Sequence, residues 1–342
     1  MEIFNEREKF SDVRLQELRD DLNNLSELLN SLPGLTIYGV GSYARGEASI
    51  HSDLDLFFVC REDKKNFKRP NETKYLLFGK LIEMVKNKGY PEFSNDCQFL
   101  ELLHTPDILE HLGGPADDQM NYFTARMLLL LESTCIYGDV EYEAIKKDMI
   151  HSYFQDFPRH ENDFLPIFLL NDICRYWKTL LLNYENRRRE LRLKYDKNAE
   201  SSPEIREGFE RERIKNKVRN FKLKHSRLMT CFASIAILAC CSGTVTEDYV
   251  IEVTNLTPRK RLQEVIDRIP TLRESGQKLL SGYSWFLEKT ALETNVLEAL
   301  FINEKTQSEM DRKATEFGEA MFDLLICLDK ETSFPLLRYL VI

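Results

Sequence analysis

The 342-residue sequence carries 47 Lys+Arg against 56 Asp+Glu, a formal charge of −9, with 43% hydrophobic and 30% charged residues. Those values exclude a disordered chain, leave room for two domains, and give a surface that as a whole repels nucleic acid. None of the eight cysteines has C-x-x-C spacing and most lie in apolar runs, as expected of reduced, buried thiols. The adjacent Cys240-Cys241 reads as packing, because neighbouring cysteines bridge only with strain. The opening MEIFNEREKF is too charged for a signal peptide. The longest apolar stretch, residues 228–241, is 14 residues; a bilayer span needs ~20. A cytoplasmic protein with no membrane partner is expected.

In chain order, residues 10–31 place Leu15, Leu18, Leu22, Leu25 and Leu29 at three- and four-residue steps, an amphipathic helix that Leu32-Pro33-Gly34 ends. LTIYGVGS and DLDLFFVCR read as neighbouring strands joined through a short helical turn in YARGEASIHS. Residues 72–88 are helical in period and close at Gly89. Residues 93–103 read as a third strand, with Thr105-Pro106-Asp107 starting a helix. Residues 117–136 are expected to be one long helix ending at Tyr137-Gly138-Asp139. Beyond residue 150 helical periodicity covers 163–196, 206–241, 258–281, 291–303 and 306–328, with a polar loop at 196–204. The expected organisation is an α/β part over 1–150 followed by an all-helical domain over 151–342.

The chemistry concentrates in GSYARGEASIHSDLDLFFV. Asp53 and Asp55 sit at i and i+2, so on a strand both carboxylates face one side while Leu54 and Leu56 face the other. Clustered carboxylates on a rigid element hold the divalent ions that phosphoryl and nucleotidyl transfer require. Gly41-Ser42 lies between a strand and a helix start, where glycine lets backbone approach phosphate and Ser42 can bind it. Read alone, an S-D-x-D string is a turn or a helix cap; the assembly of strand, G-S-Y-A-R-G-E, spacer and S-D-L-D-L carries the signal. Arg45 either approaches a phosphate or tethers the loop to Glu47. His51 reads as an exposed loop residue.

This string resembles the signature G-S/G-x-x-R-G followed by S-D-x-D of the DNA polymerase β superfamily of nucleotidyltransferases. The R-G-E and the H-S before the first acid look most like the uridylyltransferase domain that modifies the PII nitrogen-regulatory protein. LLLLESTCIYGD, residues 128–139, is similar to the helix and G-D ending that closes that domain, so the resemblance covers roughly residues 10–150. It implies an α+β fold with a short mixed sheet and flanking helices. It also implies Gly41 and Ser42 on the triphosphate, and Asp53 and Asp55 as ligands of two Mg²⁺ ions, with Mn²⁺ as an alternative. The third carboxylate of the superfamily comes from a later strand in an apolar-acid-apolar setting; Glu101 fits that setting and Asp96 is its rival.

In the helical half, residues 163–185 carry Asn171, Arg175 and Lys178 on one face of an apolar helix, and Lys224, Ser226 and Arg227 precede a buried run. Polar groups embedded this way need partners. One reading is a polar network between the two helices. The other, which the resemblance implies, puts Lys178, Lys224 and Ser226 on the nucleotide's phosphates as part of a lid. Residues 185–227 hold 15 Lys+Arg against 8 Asp+Glu, leaving the rest of the chain at −16. A solvated helix face, or a surface for RNA or an acidic partner, would account for that run. No His-Asp dipeptide occurs, so the phosphohydrolase activity of the bifunctional relatives is not expected. The expectation is an Mg²⁺-dependent enzyme moving NMP from an ATP- or UTP-like donor onto an acceptor hydroxyl, on a protein first and an RNA 3′ end second. A non-catalytic nucleotide-binding module is the reading from another class.

Overall fold

A computed structural model describes residues 2–66, 70–90, 93, 97, 100–197, 203–332 and 336–341. The chain forms two compact units: Met1–Pro166 with Ser242–Thr257, and Ile167–Cys241 with Pro258–Ile342.

The first unit is α+β. Its sheet has four strands, β1 (Leu35–Val40), β2 (Asp55–Cys60), β3 (Leu102–His104) and β4 (Ser133–Tyr137), in the order β3-β2-β1-β4. β1 runs antiparallel to β2 and β4, and β2 runs parallel to β3. The register pairs Ile37 with Phe58, Gly39 with Leu56 and Val40 with Asp55. Alternation therefore sends Leu35, Ile37, Leu54, Leu56 and Phe58 to one face. They form one core with Leu15, Leu18 and Leu22 of helix α1 (Glu2–Asn23) and Leu77, Leu81 and Val85 of the helix Pro70–Asn87. On the other face Tyr38 stacks on Phe57, ring centroids 5.6 Å apart, and tilts against Tyr142. The two leucine-rich helices thus hold the sheet from one side and leave Asp55 at the edge of the other.

Two expectations for this unit need correction. Residues 117–136 are not one helix. They form the short helices Pro115–Gln119 and Tyr122–Leu131, separated at Asn121 in the left-handed conformation (φ 59°), and then strand β4. The apolar run LLLL suits a helix and forms one, but Ser133, Thr134, Cys135 and Tyr137 gain a ladder by pairing with β1, about 100 residues away, which outweighs local propensity; Ile136 is skipped at a bulge. Gly138 follows β4 at φ 77°; a Cβ there would collide with the Leu35 carbonyl, so only glycine turns the chain into the next helix. The third strand is shorter than residues 93–103. Among the described residues only Leu102–His104 pair as a strand there, with an isolated parallel bridge between Leu54 and Phe93. Residues 94–96 and 98–99 lie outside the described residues, as does most of the loop expected at 196–204.

The return segment 242–257 had no sequence signal. Its helix Glu247–Asn255 packs on the helix Asp139–His151, with Glu247 on His151 at 2.8 Å and Asn255 accepting from the buried Lys146 amine.

All described secondary structure of the second unit is helical. Residues Ile167–Lys197 and Pro203–Lys222 form two long helices in contact with each other, here α2 and α3. α3 runs through a single π-helical turn, Leu223–Arg227, into the buried helix Leu228–Ala239. The helix expected over 258–281 is broken at Ile269-Pro270 into Pro258–Arg268 and Arg273–Thr290, because proline removes a donor and clashes with the preceding turn. Glu304–Glu331 completes the packing. All eight cysteines are free thiols. Among the described residues no helix is long and apolar enough to cross a membrane.

The π-helical turn places His225 among Phe221, Phe286 and Phe317, with centroids 4.6, 4.8 and 4.9 Å away. Its Nδ1 donates to Phe221 O at 2.9 Å and its Nε2 has no partner. Burial pushes the imidazole down to about 4 from 6.5. The folded state therefore binds fewer protons than the unfolded chain between those values, and stability falls as pH drops through that window. Lowering the pH from 7.5 to 5 should remove about 2 kcal/mol through this group. Urea melts of the wild type and His225→Phe at both pH values check this; the variant should lose that much less.

Candidate active site

Val40, the last residue of β1, is extended, and Gly41 then turns the chain with φ 71° into a single helical turn, Gly41–Ala44. Glycine is favoured by that φ, because the left-handed conformation costs a side-chain residue about 1–2 kcal/mol; a Cβ at Gly41 would lie in van der Waals contact with Asp55 Oδ2, at 3.4 Å. The bare Gly41 backbone thus lies beside the Asp55 carboxylate, as the Val40–Asp55 pairing requires.

The loop that follows is tied down at each step. Glu47 N donates to Ser42 O at 2.8 Å, Ala48 N to Ser11 Oγ of α1 at 3.0 Å, and Ser49 N to Ser52 Oγ at 2.9 Å. Arg45 is buried, donating through Nε to Glu47 at 2.7 Å and through Nη1 to Glu132 at 2.6 Å. Its guanidinium is thereby committed to two carboxylates, the tethering role. Tyr43 is buried beneath the loop. Burial pushes its phenol up, the Arg14 hydrogen bond opposes that, and the charge of Asp53 adds to it. His51 is half-buried, its backbone bonded to Ser49 Oγ.

Asp53 is exposed immediately before β2, Leu54 is buried, and Asp55 opens the strand half-buried. The i, i+2 spacing puts both acids on the sheet face away from the leucine core. Two hard carboxylate donors beside a backbone that carries no Cβ fit a divalent cation with an oxygen-rich ligand. Among the described residues no three His, Cys, Asp or Glu side chains converge closely enough to hold a metal ion. Glu101 is exposed one residue before β3, outside the strand proper. It lines a cavity of about 310 Å³ with Lys64, Lys74, Asp107 and Tyr122. Asp96 lies outside the described residues.

Lys178, Lys224 and Ser226 belong to the second unit. Lys178 is exposed and Lys224 half-buried, while Ser226 is buried and donates to Lys222 O of its own helix at 2.9 Å. Around them, Asp172 is buried and accepts from Arg175 at 3.3 Å, and Trp177 meets Phe232 edge-on at 5.9 Å.

Two residues that shape the site escaped the sequence. Glu132 was expected inside a helix, whereas it caps the junction of the helix Tyr122–Leu131 and β4. Ser11 carried no motif at all. Only the contact with residues 45–48 reveals either.

Residues 17–121 match the model of the nucleotidyltransferase domain family, a span that contains Gly41, Ser42, Asp53, Asp55 and Glu101. No curated protein matches the chain. The glycine turn, the i, i+2 acids and the four-stranded mixed sheet agree with that match: residues 17–121 form a nucleotidyltransferase domain of the DNA polymerase β superfamily.

Proposed function

We propose that the chain is an Mg²⁺-dependent enzyme that transfers NMP from an NTP to a hydroxyl of a protein acceptor and releases pyrophosphate. The observation that carries this is the juxtaposition of Asp55 with the Cβ-free Gly41, 3.4 Å from the position a Cβ would take. In this reading Asp53 and Asp55 hold the metals, and the Gly41 backbone and Ser42 hydroxyl grip the triphosphate. Glu101 (or Asp96) acts as the third acid and receives the acceptor's proton. Bound Mg²⁺ supplies charge neutralisation on the phosphates and lowers the pKa of the attacking hydroxyl. The acceptor oxygen then forms its bond to the α-phosphorus as the bond to the bridging oxygen breaks, and pyrophosphate leaves with that electron pair. Lys178, Lys224 and Ser226 are proposed to contact phosphates, though Ser226 must give up its bond to Lys222 O to do so.

Protein is preferred as acceptor because the R-G-E and H-S features resemble the protein-modifying branch. That warrant is one of likeness, since fold does not fix substrate. An intact S-D-L-D argues against a non-catalytic module. The test is incubation with each α-labelled NTP, Mg²⁺ and separated protein and RNA fractions of a lysate. Label on protein is expected. Label confined to RNA 3′ ends overturns the acceptor, and NTP binding without transfer to any fraction overturns the enzyme.

A further inference from the structure

The outer halves of α2 and α3, residues 185–195 and 205–215, contain no buried residue. They are held as helices by short-range ion pairs, Arg188–Glu185, Arg211–Glu207, Arg213–Glu210 and Lys215–Glu212. Helices polar on nearly every side derive little stability from packing. Between them an open cleft of about 380 Å³ remains. Its apolar lining is Leu191, Ile205 and Phe209, and at Gly208 an added Cβ would meet nothing within 4 Å. Its rim carries Arg187, Lys194 and Arg219, but also Glu190 and Glu212. Among the described residues Arg187, Arg189 and Arg192 have no carboxylate partner, and Leu182, Leu193 and Tyr195 stand exposed on the same helix.

We infer that this cleft is a docking site for an acidic, amphipathic polypeptide segment of a partner protein. Residues 185–227 carry +7 in a chain that is otherwise −16, so an acidic partner is attracted to this stretch against the net charge of the rest. Nucleic acid fits less well. A phosphate ladder over the rim meets Glu190 and Glu212, the apolar lining offers it nothing to pair with, and Tyr195 and Phe209 face each other edge-on at 5.5 Å rather than presenting open stacking faces. A second copy would set two cationic helix pairs against each other. A polypeptide can place apolar side chains on Leu191, Ile205 and Phe209, carboxylates on Arg187 and Arg219, and a cation or amide opposite Glu190. This concerns binding and stands apart from the transfer chemistry.

The test uses the full chain and a fluorescent helix-forming peptide of about 20 residues, with leucines at i, i+3, i+4 and i+7 and glutamates elsewhere. A version with lysine replacing glutamate and an oligouridylate of about 20 nucleotides serve as competing probes. The glutamate peptide should bind with an affinity that falls as salt rises, and at least about tenfold more tightly than either competitor. Arg187→Glu and Gly208→Leu, the first reversing a rim charge and the second filling the cleft, should each weaken it by at least about tenfold. Gly208→Leu should leave the thermal midpoint unchanged or higher, since leucine is the better helix former, which separates lost binding from lost folding. Asp53→Ala/Asp55→Ala protein should bind the peptide as the wild type does, so that failure of the reaction and failure of the cleft are read separately. Preference for oligouridylate, absence of glutamate-peptide binding, or wild-type affinity in both cleft variants overturns the inference.

Discussion

Asp53→Ala/Asp55→Ala should abolish nucleotidyl transfer, lowering turnover by about three orders of magnitude or more, ~4 kcal/mol of transition-state stabilisation. Both carboxylates are removed from the one sheet edge that adjoins the glycine turn, so the charge on the phosphates would be left without the ions that offset it. The fold should survive. Asp53 is exposed and Asp55 half-buried at the first position of β2, and neither contributes to the leucine core on the opposite face. Thermal midpoints should therefore stay level or rise slightly as two like charges are relieved. The Asp53→Asn/Asp55→Asn variant keeps the shape and loses the charge; it should be as inactive as the alanine form if metal binding is the role. A double variant that still transfers label would refute the assignment of these acids.

The second large effect concerns a buried ion pair that no motif announced. Arg126 and Asp117 are both fully buried, joined by two hydrogen bonds of 2.9 and 2.8 Å, and Arg126 Nε donates to Tyr153 at 2.7 Å. Burial alone would lower the guanidinium's pKa. The Asp117 hydrogen bonds and charge, together with Tyr153, more than offset it, so the net direction is upward and the group stays charged. Asp117→Ala leaves that charge buried without its partner and should destabilise the first unit by about 3–5 kcal/mol. Asp117→Leu combined with Arg126→Met should recover most of the loss, because the penalty comes from the stranded charge rather than from the absence of the pair. Chemical denaturation of the three proteins decides it: equal stability of Asp117→Ala and the wild type would mean the pair is solvated in solution.

Sequence and structure divided the labour along a physical line. Local patterns were legible. Leucines at helical spacing marked α1, and the i, i+2 acids after a glycine turn marked the candidate site, because period and turn chemistry are properties of neighbours in the chain. The helical character of the second unit followed from the same periodicity. Non-local pairing was not legible. β4 hid behind the apolar run of the preceding helix because its ladder partner, β1, lies about 100 residues upstream, and among the described residues β3 keeps only the three that pair with the distant β2.

The charges around the site followed this division. Arg45 could be read as a phosphate ligand or a tether from its neighbours alone; Glu132, arriving from the end of a distant helix, supplies the second carboxylate that holds it. The return of residues 242–257 to the first unit depends on Glu247 and Asn255 meeting His151 and Lys146, which no local pattern encodes. By itself the sequence determined that Gly41, Ser42, Asp53 and Asp55 follow one another in an order and spacing that resembles the nucleotidyltransferase signature, within the residues 17–121 that match that domain. Only the tertiary structure decided that Gly41 lies beside the Asp55 carboxylate and that Glu132 joins Glu47 in holding Arg45, because those contacts are made by segments that sequence separation keeps apart.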